Sequence, residues 1–190
     1  EGEIITQIRH IESTGADYDK LNYLNAMSRY VCSHNPDEKE LVRRFKKVMA
    51  RPDQSELITG LAQITGGTAF AVFFGCDLQD AVVALIVCLM IVLVGRWLSR
   101  REGNPMIYNL ILAFLSEVVI VTAVRSGLGH HPDRIMIGIV MLLVSALGAI
   151  NGMRDVMQRN FISGSLEVMN SMLGAFGIAF GIALAMMLMG

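Results

Sequence analysis

The sequence predicts an all-α integral membrane protein, in which a small cytoplasmic helical hairpin is followed by five transmembrane helices. Three observations support this fold class. The 190 residues are 53% hydrophobic and only 17% charged, whereas soluble domains are about 25% charged. Nine of the 16 Lys and Arg residues precede residue 52. Five apolar runs of about 20 residues then follow, and each is long enough to cross a bilayer core of about 30 Å.

The N-terminal region contains two predicted helices. Residues 1–16 alternate apolar and polar side chains, which is typical of a short strand or an extended arm. Residues 17–32 have one apolar helical face. The second helix is predicted to start with Asn35 as N-cap, Pro36 in its first turn and Glu38 completing a capping box. Its opposite, basic face would either attract anionic lipid headgroups or simply be solvated.

The transmembrane domain is predicted to occupy residues 53–190, after a cytoplasmic region of residues 1–52. Its continuous spans are 57–75, 78–98, 106–124, 135–153 and 169–189. Fourteen Lys and Arg residues lie on the N-terminal side of these spans and two on the other side. Because cytoplasmic segments carry an excess of basic residues, we expect the N-terminus inside and the C-terminus outside.

Glu117 is an acidic residue within the third span. A carboxylate in hydrocarbon is costly unless it is protonated, paired or hydrated. Glu117 is therefore either a proton-coupling or substrate-facing group, or a neutral acid that hydrogen-bonds two helices together. Ser145, in the antiparallel fourth span, is expected at a similar depth near the midplane.

The first span contains the adjacent glycines Gly66 and Gly67. Such a pair allows a membrane helix to unwind and expose backbone groups to a water-filled site. Alternatively, the small residues allow close helix packing. Two further glycine pairs have the GxxxG spacing of packing faces: Gly148 with Gly152, and Gly177 with Gly181.

Residues 145–170 join the fourth and fifth spans and concentrate polar side chains between them. Arg154 and Asp155 point about 100° apart on a helix, so they are not expected to pair with each other. Arg154 would reach a carboxylate, either that of Glu167 or that of a substrate, because its planar fork binds carboxylates. The alternative is an interfacial arginine that only extends toward water. Asp155 would cap the next segment or pair with Arg159.

Other kinds of chemistry lack their motifs. No Ser–His or Asp–Asp arrangement occurs within the spans, and no Walker motif is present, so we expect no enzyme activity. The three cysteines and the adjacent His130 and His131 do not form a metal-ligand pattern, so neither a metal nor another cofactor is expected. The net charge of −1 argues against a nucleic-acid partner.

The stretch MIGIVMLLVSALGAINGMRDVMQRNFISG resembles the signature of the threonine/serine exporter (ThrE-like) family. That signature is an apolar helix, a Pro-Gly break, Asn-x-x-Arg-Asp and then Gly-Asp-x-x-Ser-Gly. The matching residues are Asn151, Arg154, Asp155, Ser163 and Gly164. The chain departs from the signature at three places, with Ser145-Ala146 for Pro-Gly, Arg159-Asn160 for Gly-Asp, and Asn170 where a Glu is common.

The resemblance implies the five-span subunit of a secondary transporter in the bacterial cytoplasmic (inner) membrane. Family members export small carboxylates, which are serine and threonine or succinate-like dicarboxylates, and a split system adds a second, smaller membrane subunit in an oligomer. The implied substrate-binding residues are Arg154, Asn151, Asp155, Ser163 and Ser145. Glu117 would couple transport to an ion gradient. The expected gate residues are Glu167, Asn170, Gly66 and Gly67. A passive channel and a scaffold subunit are the alternatives.

Overall fold

The computed structural model describes residues 18–52, 55–144 and 146–189, and the regular structure within these ranges is α-helical. The helices within these ranges are α1 (Tyr18–His34), α2 (Glu38–Met49), α3 (Glu56–Phe73), α4 (Leu78–Ser99), α5 (Pro105–Arg125), α6 (Pro132–Leu143), α7 (Ala146–Met157) and α8 (Phe161–Met189). The chain divides into two compact units between Ser55 and Glu56. The predicted strand or arm at residues 1–16 lies outside the described residues.

The first unit contains the two predicted helices, but α2 starts later than predicted. Its N-cap is Asp37, whose carboxylate accepts a hydrogen bond from the Glu38 N–H at 2.9 Å. Asn35, the predicted N-cap, has a φ of 45°, and its N–H donates to the Val31 carbonyl at 3.0 Å. Asn often ends helices in this left-handed conformation. Asn35 therefore closes α1, and the predicted capping box is wrong.

Arginine–tyrosine contacts join α1 to α2. The Arg44 Cζ lies 3.9 Å from the centroid of the Tyr30 ring, and the Arg51 Cζ lies 3.7 Å from that of Tyr23. The Arg51 Nε also lies 3.0 Å from a carboxylate oxygen of Asp19. None of the residues of α2 is buried. Exposed cation–π contacts, each contributing about 0.5–1 kcal/mol, therefore stabilise this hairpin in place of a large apolar core.

The second unit contains the helices that can cross a membrane. Among the described residues, α4, α5 and α8 are each long and apolar enough to do so. α6 and α7 together qualify as a fourth span, with a bend of 51° between them. α3, which has 18 residues and carries Glu56 and Gln63, is not among them. The protein is a multi-pass membrane protein, whereas the count of five spans and the orientation stay predictions.

The fourth predicted span, residues 135–153, is not the continuous helix that we expected. α6 ends at Leu143, and Val144 is extended, with a φ of −71° and a ψ of 122°. α7 then begins at Ala146 in a new direction. α6 packs against α3, α4 and α5, whereas α7 packs against α8 and has no comparable contact with another described helix. The break therefore falls where the packing partner changes. The hydropathy of the sequence does not indicate this break.

The fifth predicted span, residues 169–189, is only the second part of a longer helix. α8 starts at Phe161 and has 29 residues, which is about 43 Å of helix. The first turns of α8 contain the polar residues Ser163 and Glu167 and therefore lie outside the apolar run 169–189. In the structure the first turn of α8 packs against α7, where Gly164 meets Gly152, and the sequence alone does not reveal this contact.

α5 and α8 run parallel and approach each other closely. A Cβ added at Gly177 would lie 2.2 Å from the carbonyl oxygen of Met106, and one at Gly181 would lie 2.4 Å from that of Leu110. The predicted GxxxG face of α8 is therefore confirmed as a packing face, because it lets two backbones touch. Toward the other end of both helices, the Arg125 guanidinium donates to the carbonyl of the last described residue of α8.

Including α1, which ends at Asn35, four of the described helices end with a residue in the left-handed conformation; the other three such residues are Gly75 after α3 (φ 91°), Gly127 after α5 (φ 81°) and Arg159 after α7 (φ 69°). After α7, the Arg159 N–H donates to Val156 at 3.0 Å and the Asn160 N–H donates to Asp155 at 2.9 Å. These bonds form the Schellman motif that usually contains glycine. Arg159 therefore occupies a position where a side chain is strained.

Replacing Arg159 with Gly is expected to stabilise the protein by about 1 kcal/mol, since a side chain in the left-handed region costs about that much. The melting temperature in detergent micelles measures the change. Arg159→Ala is the matched control, because it removes the guanidinium but keeps a Cβ in the strained conformation. Equal melting temperatures for the Gly and Ala variants would show that backbone strain at this position is negligible.

Candidate functional site

The polar segment between the last two predicted spans forms an antiparallel helical hairpin, α7–α8. Its helices cross at two glycines. A Cβ added at Gly152 would lie 2.9 Å from the carbonyl oxygen of Gly164, and one at Gly164 would lie 2.5 Å from that of Gly152. The sequence folds in this way because small residues at the crossing let the backbones touch. Gly152 is thus a packing residue, as its GxxxG spacing predicts.

Five of the predicted site residues form a polar flank along one side of this hairpin: Asn151 and Asp155 of α7, and Ser163, Glu167 and Asn170 of α8. Successive residues turn by about 100° around a helix, which places each of the five about 60–120° from the glycine at the crossing. Because the helices are antiparallel, both sets turn to the same side. Asp155 and Glu167, which are nearest to the crossing, are half-buried, and the other three are exposed.

Arg154 lies on another face of α7. It follows Gly152 by two residues, or about 200° around the helix, so it points away from α8. Its side chain is exposed, and it forms no ion pair with any described residue. The predicted pair with Glu167 is therefore absent, as is the predicted pair between Asp155 and Arg159. Binding of a substrate carboxylate by Arg154 stays a prediction.

Glu117 lies on α5 with 3% of its surface exposed. Its Oε2 has no hydrogen-bond partner among the described residues. The neighbouring Ser116 is fully buried, and its hydroxyl donates to the Leu112 carbonyl of the same helix at 2.7 Å. Burial without a partner at Oε2 is unusual for a carboxyl group whose purpose is to hold helices together.

Glu117 also lines a cavity of about 370 Å³ between α5, α6 and α8. The residues lining this Glu117 cavity are Glu117, Val121, Arg125, Pro132, Asp133, Met136, Met186 and Met189. Its volume is within the range of about 300–1,000 Å³ that is usual for small-molecule sites. Along α8, Met186 lies about 24 Å beyond Asn170, so the Glu117 cavity and the polar flank are separate sites. Ser145, predicted at the depth of Glu117, lies outside the described residues.

The glycine pair Gly66-Gly67 does not interrupt α3, which is continuous from Glu56 to Phe73. The predicted unwinding is therefore not observed. Gly67 is buried, and a Cβ there would lie 2.5 Å from the Sγ of Cys88 on α4. A Cβ at Gly66 would meet nothing within 4 Å. The packing alternative is thus correct at Gly67, and a gate role for either glycine stays a prediction.

Asp80 is a buried carboxylate whose importance the sequence did not reveal. It lies in the first turn of α4 with 0% of its surface exposed. It accepts hydrogen bonds from the backbone N–H of His130 at 2.7 Å and that of His131 at 3.3 Å. The His131 Nδ1 also lies 2.9 Å from its Oδ2. Asp80 therefore ties the start of α4 to the turn between α5 and α6 through charge-assisted hydrogen bonds, which are stronger than neutral ones.

Asp77, Asp80 and His131 place potential metal-ligand atoms within 4.8 Å of one another. Both oxygens of Asp80 already accept protein donors, so the group has a structural role without a cation. The spacing Asp77-x-x-Asp80 corresponds to a capping box at the start of α4, which is visible in the sequence. The contact of Asp80 with His131, 51 residues away, cannot be seen in the sequence.

Neither the curated proteins nor the solved structures gave a match to this chain. Among protein families, the one described as "Putative threonine/serine exporter" matches residues 1–189. The match includes the polar flank, the Glu117 cavity and the N-terminal helical hairpin. It also agrees with the signature resemblance between the fourth and fifth predicted spans. The chain belongs to the threonine/serine exporter family.

Proposed function

We propose that the protein is a subunit of a secondary transporter that exports serine, threonine or a succinate-like dicarboxylate across a bacterial inner membrane. An ion gradient drives export, a second, smaller membrane subunit completes an oligomeric transporter, and the protein is not an enzyme. The observation that carries this proposal is the Glu117 carboxyl, which is buried, lacks a partner at Oε2 and lines a cavity.

Proton coupling explains this environment better than a packing role. An ionised group in the middle of a membrane costs about 3 kcal/mol, and no described donor offsets that cost at the Glu117 Oε2. A carboxyl that binds and releases a proton during transport needs an oxygen that no protein donor occupies, which Glu117 has at Oε2, and Glu117 also borders a cavity. A passive channel, whose flux follows the substrate gradient alone, has no need of such a group.

The polar flank supports a gate role for the α7–α8 hairpin. Polar side chains are costly against lipid and suit a water-filled path for a polar metabolite. Arg154 points away from α8, so a carboxylate bound to it would be completed by groups from outside this hairpin. This arrangement supports a second subunit at α7. It also keeps a scaffold as the alternative function, in which Arg154 only holds the partner.

Uptake into inside-out membrane vesicles tests the proposal, because export then appears as accumulation. Vesicles containing the chain, with and without the second subunit, receive labelled serine, threonine or succinate under an imposed pH gradient. Arg154→Ala is expected to lower the flux at least about tenfold, because a charge-assisted hydrogen bond contributes about 1.5–3 kcal/mol. The amount of inserted protein and of bound partner should not change.

Arg100→Ala is the matched control, since Arg100 is also exposed but follows the end of α4. Loss of the partner rather than of flux on Arg154→Ala would favour the scaffold. Uptake that stops once the substrate concentrations on the two sides of the membrane are equal would favour a channel. A correctly inserted complex that transports none of the three substrates would contradict the proposal.

A further inference from the structure

The Glu117 cavity presents both signs of charge around an apolar centre. Glu117 contributes a carboxyl group, and Arg125 and Asp133 contribute one charge of each sign. Arg125 and Asp133 form no ion pair with each other or with another described residue. The walls between these groups are apolar, with Val121 and Met136 among them. A small ligand that carries both charges and a short apolar part would complement this lining.

Arg125 is suited to bind the carboxylate of such a ligand. One Nη atom donates to the Met189 carbonyl, which anchors the side chain at the end of α8. A guanidinium has five N–H donors in a planar fork, so several others can bind a carboxylate. α6 also starts at Pro132 on the same cavity, but Asp133 in its first turn offsets the positive end of the helix dipole, so the attraction for a carboxylate comes from Arg125.

Glu117 is suited to bind the ammonium group. Glu117 lines the cavity with 3% of its surface exposed, and no described residue donates a hydrogen bond to its buried Oε2. Arg125 is the cationic side chain in the cavity lining, and it lies about 12 Å further along α5. A dicarboxylate would bring a second negative charge toward Glu117, whereas an amino acid would bring its ammonium group there.

We infer that the exported amino acid, after it has passed Arg154 at the hairpin gate, binds in the Glu117 cavity as a zwitterion, with its carboxylate at Arg125 and its ammonium at Glu117. This inference rests on the proposed export function and selects amino acids over dicarboxylates as the substrate. It also gives a mechanism for coupling. The Glu117 carboxylate binds either the ammonium group or a proton. A proton that moves from bulk water onto Glu117 releases the amino acid unchanged, and loss of that proton on the other side lets the next amino acid bind.

Competition binding with analogues that lack one charge tests this assignment. The full chain, with its partner subunit if one co-purifies, is reconstituted in lipid nanodiscs with labelled threonine. The competitors are threonine, threoninamide, N-acetylthreonine and succinate. The wild type is expected to prefer threonine over each competitor by about tenfold to a hundredfold, since each loses a charge-assisted hydrogen bond. Arg125→Gln should lose only the preference over threoninamide, whereas Glu117→Gln should lose the preferences over N-acetylthreonine and succinate, which both lack the ammonium group.

Arg100→Gln and Glu102→Gln are the controls. Both residues follow the end of α4 and neither lines the Glu117 cavity, so both variants should keep both preferences. Each preference is a ratio measured within one preparation, so a partly unfolded variant still reports it. Both preferences surviving both substitutions, or succinate competing as well as threonine, would overturn the inference. Threonine export with unchanged preferences would overturn it while leaving the proposed function intact. If the expected preferences are observed but no uphill transport is, the binding site is supported and the export proposal is overturned.

Discussion

With Glu117 replaced by Gln, threonine uptake into inside-out vesicles is expected to stop at equal concentrations on both sides, whatever pH gradient is imposed. Gln has the size of Glu but cannot exchange a proton, so the coupling group is lost while the Glu117 cavity keeps its shape. The wild type should reach an accumulation of about tenfold for a pH difference of about one unit, because one proton then provides about 1.4 kcal/mol. Accumulation ratios at saturating threonine measure the effect.

Glu102→Gln is the matched control for this prediction. Its carboxylate accepts a hydrogen bond from the Asn104 N–H at 3.0 Å, and a Gln carbonyl can accept the same bond. We expect the accumulation ratio of this variant to equal that of the wild type. If Glu117→Gln also accumulates threonine like the wild type, another group must carry the coupling ion.

Replacing Gly177 with Ala is expected to destabilise the transmembrane unit by about 2–3 kcal/mol, the upper range for overpacking a close contact. The added Cβ would lie 2.2 Å from the carbonyl oxygen of Met106. This neighbour is backbone, so it cannot move aside as a flexible side chain would. α5 and α8 must separate, which weakens the most extensive contact between any two of the described helices. Unfolding by SDS, followed by circular dichroism, measures the loss of stability.

Gly66→Ala is the matched control, because a Cβ at Gly66 would meet nothing within 4 Å. Ala favours a helix by about 1 kcal/mol relative to Gly, so this variant should be as stable as the wild type or more so. Equal stability of Gly177→Ala and the wild type would mean that α5 and α8 can separate at little cost.

Local sequence patterns predicted most of the helices and many of their ends. The predicted runs 57–75, 78–98 and 106–124 agree with α3, α4 and α5 to within two residues at each end. At α5, the Asn104 side chain accepts a hydrogen bond from the Met106 N–H at 2.9 Å, and a proline follows the cap. Caps and apolar runs depend on residues within one or two helical turns, so the sequence contains the necessary information.

The start of α2 shows where this local reasoning fails. Asn35 and Asp37 are both good N-cap residues, and the sequence favoured Asn35 because of the following Pro36 and Glu38. Because Asn35 has a φ of 45°, it ends α1, and Asp37 is the N-cap of α2. Two helix ends compete for the same short segment, and only the path of the chain decides between them.

The sequence alone established the all-α membrane class and the resemblance to the family, because hydropathy and motif spacing lie along the chain. Tertiary structure decided the break after Leu143, the side of α7 on which Arg154 lies and the lack of a partner for the Glu117 Oε2. It also decided that Asp80 would meet a histidine 51 residues away. Each of these features depends on which helices pack together. Close packing at glycines such as Gly152 and Gly177 sets those pairings, and a linear pattern does not specify which backbone a glycine will meet.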